Sequence, residues 1–291
     1  MNRCTLLLMA LIPCALHAES PKRQNWDNRM TLHGDIAQVI VREYDATMEG
    51  ETLITDEEKR YTTYIFDDSG NVVKRIIDNH IYEYRYEGEL LMCVTSYDDQ
   101  GNKKSYDEYS YNDAGKVLSL TSYYSDEVSS QSLFEYDDKN QLISRSDDDP
   151  MMGYITTYYQ YDDKGQLISS HSNSREMPAM GKNFTYDDKG RVISRTDYME
   201  FFDLCTMEME YDDNDNVISM RYIMDEANSS MTYYTYDEHN NLTSIKGYNF
   251  EGNVDKDIRY EYRYDEHNNA VEIVEYNNVT IRVTTYEITY R

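Results

Sequence analysis

Along most of this chain aromatic or aliphatic residues alternate with polar ones in short runs, and every 25 residues one polar hexapeptide interrupts the alternation. The interruptions open at Tyr111, Tyr136, Tyr161, Tyr186, Tyr211 and Tyr236, and read YNDAGK, YDDKNQ, YDDKGQ, YDDKGR, YDDNDN and YDEHNN. A period of two marks strands that bury one face. The fifth residue of each hexapeptide is Gly, Asn or Asp, the types that tolerate left-handed backbone. A four-residue turn followed by such a residue joins two antiparallel strands, and an Asp early in the turn accepts its backbone N–H groups. Each hexapeptide therefore predicts a β-hairpin, and the fixed period predicts a stack of hairpins.

The register extends further. Phe66 opens FDDSGN, Tyr86 opens a shortened YEGE, and Tyr264 opens a second YDEHNN three residues late. The turn length places each anchor opposite the residue six later, as Tyr161 opposite Leu167. The aromatic two before the anchor shares that face, and Met209 takes its place in one unit. The polar residue between the aromatics (Glu135, Gln160, Thr185) is expected opposite the aliphatic seven after the anchor (Ile143, Ile168, Ile193), on a half-exposed face. Links between units vary, as in SDDDPMM, NSREMPAMG and EFFDLC. The predicted fold is all-β: tandem antiparallel hairpins forming one elongated, curved meander sheet. About nine units fill residues 59–291, after lead-in strands over 19–58 that carry a partial repeat at Gly34-Asp35-Ile36.

Residues 1–18, MNRCTLLLMALIPCALHA, combine a basic start at Arg3, a short apolar run and a small residue at Ala18. This predicts a signal peptide, and export to the periplasm or the cell exterior. The run is too short to span a bilayer. Pro13 departs from the small residue that a lipid-attachment signal wants before its cysteine, which argues against an anchor at Cys14. Cleavage leaves Cys93 and Cys205, too far apart in an open array to form a disulfide.

Composition narrows function by exclusion. The net charge of −27, from 55 acidic and 28 basic residues, repels nucleic acid and anionic membrane surfaces. The 31 tyrosines supply apolar rings with polar tips for a thin core. His239 and His267 occupy a turn slot filled elsewhere by Lys, and outside residues 1–18 no His has a second His or Cys at metal-ligand spacing. Acidic runs such as Asp213-Asn214-Asp215-Asn216 lack the spacing of a calcium loop. No nucleophile elbow, P-loop or dinucleotide fingerprint occurs. The reading is a protein without catalytic residues, metal or cofactor. A membrane-spanning barrel is not expected, because candidate outward positions carry Glu, Gln, Arg and Asp.

At Tyr186–Arg195, YDDKGRVISR, the chain resembles the YD or RHS repeat family of bacterial secreted and cell-surface proteins. The units at Tyr161 and Phe66 match well, whereas those at Tyr136, Tyr236 and Tyr264 replace Gly by Asn. In larger members of that family the strands spiral into a shell around a toxin domain; the resemblance at this length implies a curved, open sheet. The functional expectation is an exported, non-enzymatic scaffold for protein or surface interactions. A carbohydrate-binding module is the alternative, with Tyr158 and Tyr233 as candidate ligand-binding rings. A toxin-shell fragment or an immunity partner is a further one. The expected partner is a protein or glycan at the cell envelope.

Overall fold

A computed structural model describes residues 32–149, 153–174 and 178–291, with Asp149 through its backbone alone. The predicted signal peptide and Cys14 lie outside the described residues. Among the described residues twenty strands, β1 (Ile36–Glu49) to β20 (Ile281–Tyr290), follow one another as antiparallel neighbours in a single sheet. The chain is all-β, as the alternation predicts.

The sheet is not an elongated open meander. β1 pairs with β20 from Ile36 opposite Tyr290 to Ala46 opposite Ile281, so the wall closes into a 20-strand barrel. Repeats specify how each hairpin meets the next; whether the two outermost strands meet depends on the twist accumulated over all of them. Closure also removes the unpaired edges that an open sheet leaves to solvent. Arg291 fastens the seam, donating from Nη1 to Asp35 Oδ1 at 2.7 Å and from Nη2 to the Phe66 carbonyl at 2.6 Å.

The turns follow the expected chemistry. In β10 (Gly153–Tyr161) and β11 (Leu167–Ser174), Asp162 Oδ1 accepts the N–H groups of Lys164 and Gln166, and Gly165 sits at φ 83°. Asn140, Asp215, Asn240 and Asn268 adopt φ of 59–66° at the same place. Tyr161 pairs with Leu167 as predicted, but the next pair corrects the expected register. Gln160 lies opposite Ser169, not Ile168, and Glu135 lies opposite Ser144, not Ile143. The aliphatic residue is the extra residue of a β-bulge and has no partner across the hairpin.

That bulge splays neighbouring hairpins at their roots, and the anchor tyrosines close the gap. Between β7 (Val117–Tyr124) and β8 (Glu127–Tyr136) the last ladder pair is Ser119 with Leu133, which leaves the Val117 carbonyl open. Tyr136 donates its phenolic proton to that oxygen at 2.9 Å. Tyr86, Tyr111, Tyr161, Tyr186, Tyr211 and Tyr236 do the same for Val72, Leu91, Leu142, Leu167, Val192 and Val217, at 2.5–2.9 Å. A second ladder joins turn to turn: Gln141 reaches the Gly165 carbonyl, Arg191 that of Asp212, and Asn269 that of His33 across the seam.

Side chains converge inside a closed wall and diverge outside it. The tyrosine face holds Val39, Val72 and Leu91 at 0–1% exposure, whereas the opposite face leaves Leu118, Ile143 and Ile168 at 39–40%. The tyrosines therefore face the lumen. The apolar core clusters near the seam around Ile36, Val39, Val41, Tyr64, Tyr84, Ile273 and Tyr286. Farther round, the lumen carries self-neutralising pairs, Arg145 with Asp147 and Arg195 with Asp197. Cys93 on β5 (Leu90–Tyr97) and Cys205 on β14 (Phe202–Tyr211) are free thiols nine strands apart.

Three outcomes test this arrangement. Gly165→Val is expected to cost about 1–3 kcal/mol by urea unfolding, since it strains a left-handed residue; its Cβ would also lie 3.2 Å from Gln141 Nε2. Gln166→Ala should stay within about 0.5 kcal/mol. Tyr161→Phe should cost about 1–3 kcal/mol by stranding the Leu142 carbonyl, while Tyr158→Phe, on the exposed face, changes little. Burial pushes the phenols of Tyr136, Tyr161 and Tyr236 up to about 12. A raised folded-state value favours the protonated fold, so this stability is complete below about pH 10, the unfolded value, and is lost as pH rises from there through about 12. Alkaline titration followed by phenolate absorbance and circular dichroism should show cooperative unfolding in that window, not stepwise ionisation of the intact barrel.

Candidate functional site

The bulges create the main feature of the outer wall. The residue seven after each anchor has no ladder partner, and its side chain lies on the outer wall. Leu118, Ile143, Ile168, Ile193 and Ile218 are 37–40% exposed, one on every second strand. Successive members lie about two strand spacings, roughly 10 Å, apart. They form an apolar belt below the polar turns, about 40 Å long. Beneath it, Ser144 donates to Glu135 and Ser219 to Glu210, so the neighbouring polar groups are satisfied within the wall.

A second feature lies where the repeat is irregular. β4 (His80–Glu87) and β5 are joined by a tight turn in which Glu87 pairs with Leu90 and Gly88 takes φ 61°. This shortened unit borders a trough of about 690 Å³, lined by Ile65, Val73, Lys74, Glu83, Arg85, Cys93, Thr95 and Tyr97 among others. Lys74 Nζ lies 3.4 Å from Glu83 Oε1, and Arg85 Nη1 lies 3.3 Å from Glu87 Oε1. The Tyr97 phenol is raised by burial first, then by the charge of Glu83 and a hydrogen bond to it. Beside the trough, Tyr106 and Tyr123 stack with centroids 4.4 Å apart, and Lys103 Nζ sits 4.3 Å from the Tyr106 ring. Burial, followed by the charge of Glu108, raises the Tyr123 phenol.

These groups are not arranged as nucleophile and base. Cys93 Sγ has the Thr95 hydroxyl as neighbour at 3.6 Å, which gives the thiol no base to activate it. Among the described residues no group of three or more His, Cys, Asp or Glu side chains converges on a metal position. His239 and His267 lie in turns, with their rings 4.5 Å and 4.1 Å from those of Tyr264 and Tyr290.

Tyr158 and Tyr233, the rings singled out for ligand binding, are 49% and 46% exposed on the outer face. Tyr158 on β10 stands between Ser144 and His171. Tyr233, on β16 (Ser229–Tyr236), meets Tyr248 edge-on at 6.1 Å. Six strands, about 29 Å of wall, separate the two, so the fold does not unite them in one site. Sequence reasoning missed the trough, the Tyr106–Tyr123 stack and the belt. The shortened YEGE unit was the available signal for the first. The belt had none, because its residues were expected to be paired.

No family model matches the chain. Over 91 residues it is 28% identical to a tRNA3(Ser)-specific nuclease WapA of Bacillus spizizenii, a match covering 31% of this chain and 4% of that protein. The chain therefore spans a small fraction of the curated relative it matches. Among solved structures it is similar to a TcdB2-TccC3-Cdc42 protein, with 13% identity, a TM-score of 0.38, and coverage of 89% of this chain and 17% of the other. It is also similar to a porin-like protein from Bacteroides uniformis ATCC 8492, with 9% identity, a TM-score of 0.39, and coverage of 89% and 99%.

Proposed function

We propose that this chain is an exported, non-enzymatic scaffold of the YD-repeat kind, and that it holds a protein partner on its outer wall. The belt of Leu118, Ile143, Ile168, Ile193 and Ile218 carries the reading. Aliphatic side chains repeated at one level outside the lumen, each 37–40% exposed, lie apart from the barrel's own core. A row of half-exposed aliphatic side chains at one level, set among polar residues, is a surface that a protein partner can bury. The separation of Tyr158 from Tyr233 leaves a sugar-stacking platform without its second ring, so a protein is the preferred occupant.

The same wall supports an aqueous location. No helix among the described residues is long and apolar enough to cross a membrane. For a strand-built span the outer face decides, and β18 (Val254–Tyr264) places Asp257, Arg259, Glu261 and Arg263 there, all exposed. Charge on the lipid face of a barrel costs about 2–4 kcal/mol per basic residue at mid-membrane. The signal-like segment at residues 1–18 supports export.

The test is crosslinking of the chain in its native envelope, beside a variant combining Ile143→Thr, Ile168→Thr and Ile193→Thr. A specific partner recovered by the wild type and lost by the variant, with circular dichroism unchanged, is the expected result. Equal recovery by both would move the binding surface off the belt.

A further inference from the structure

The barrel's two ends differ. At one end the hexapeptide turns present Asp, Asn, Lys and Gly. At the other, four successive hairpin tips present large apolar side chains. Met180 opens β12 (Met180–Tyr186), and Phe201 and Phe202 lie at the tip between β13 (Val192–Met199) and β14. Met224 follows β15 (Val217–Ile223), and Phe250 and Val254 lie where β17 (Leu242–Tyr248) gives way to β18. Phe201 is 96% exposed, Phe202 69% and the others 43–53%, all more than the belt. Met199 stands opposite both Met180 and Phe202, which links the first two tips. The Phe250 ring lies 6.5 Å from that of Tyr222, which links the last two. A single exposed apolar residue is ordinary on a protein surface. Six on consecutive tips of one end are a patch, and a ring as exposed as Phe201 adds little to the barrel's own packing.

Acids interleave with these side chains. Glu200, Asp203, Asp225, Glu226, Glu251 and Asp255 lie on the same tips, all exposed. The nearby arginines are engaged elsewhere in the wall, Arg195 by Asp197, Arg221 by Glu208 and Arg259 by Glu261. Among the described residues none of the six acids is left with a basic partner. We propose that these tips bind a cationic amphipathic segment of another protein. Its apolar residues cover Phe201, Phe202 and their neighbours, and its Lys or Arg side chains meet the six acids. Charge selects this occupant. A second copy of the chain would set the same acids against themselves, and an anionic lipid surface would be repelled too. A zwitterionic bilayer would take the aromatic tips but desolvate the acids beside them without a partner. Basic groups around an apolar centre satisfy both halves of the patch. The tips lie at the end of the barrel away from the belt, so this surface stands whether or not the belt holds a partner.

The experiment takes the chain without residues 1–18 and a fluorescein-labelled probe peptide of Lys and Leu, with Leu along one helical face. Fluorescence anisotropy should show saturable binding that weakens as salt rises. Phe201→Ser combined with Phe202→Ser, both at exposed positions that the fold tolerates, should weaken binding about tenfold or more, the scale of lost anchor residues. Glu200→Gln combined with Asp203→Asn should weaken it and flatten its salt dependence. The belt variant, Ile143→Thr with Ile168→Thr and Ile193→Thr, should bind the probe as the wild type does. Circular dichroism checks the fold of each variant. Undiminished affinity in the Phe201→Ser, Phe202→Ser variant, equal binding of a peptide with Glu in place of Lys, or loss of binding only in the belt variant would each overturn the proposal. So would a dimer in sedimentation, or flotation with phosphatidylcholine vesicles, that the Phe201→Ser, Phe202→Ser variant abolishes, since the tips would then seat a second copy or a bilayer.

Discussion

A tyrosine phenol bonded to the open carbonyl at the root of the preceding hairpin is the interaction that makes separate hairpins one wall. The bulge at each hairpin base ends the backbone ladder early, and a buried carbonyl without a partner costs about 1–3 kcal/mol. The anchor phenol meets that need while its ring lines the lumen. The bond links residues 19 apart in most units, which ties repeat length to hydrogen-bond geometry. Where the last unit arrives three residues late, Tyr262 bonds the Leu242 carbonyl instead, and Tyr264 turns to Asp237. Tyr290 repeats the latter contact with Asp265 beside the seam.

The same bulge divides the wall chemically. Inside, tyrosines, aliphatics and self-neutralised Arg–Asp pairs fill the lining. Outside, it releases one aliphatic side chain per hairpin into a surface otherwise rich in acids. The net negative charge opposes self-association of such barrels, and so offsets the exposure of the apolar belt. One backbone irregularity, repeated, thus supplies both the demand for the tyrosine bond and the surface proposed for docking.

Departures from the repeat change the wall locally. The shortened unit at Tyr86 borders the trough, and another unit exchanges a lumen aromatic for Met209, opposite Met220. A repeat scaffold keeps its backbone constant, so a unit that varies at an inward or turn position alters function at little cost to its neighbours. Both departures are visible in the sequence as mismatches. Their meaning needed the lateral neighbours, since Met220 stands beside Met209 only through the cross-strand register.

The hexapeptides by themselves determined the hairpins, the left-handed residue at Gly165 and its equivalents, and the pairing of Tyr161 with Leu167, because turns and adjacent strands are settled by a few neighbouring residues. They also determined which face holds the tyrosines. The position of Ile143 and Ile168 was misjudged from sequence, because a bulge adds a residue without changing the pattern of polar and apolar letters. Closure was decided by tertiary structure alone. No local signal records that Ile36 will meet Tyr290, 254 positions away by sequence number, since that meeting is the sum of small twists from every strand between them.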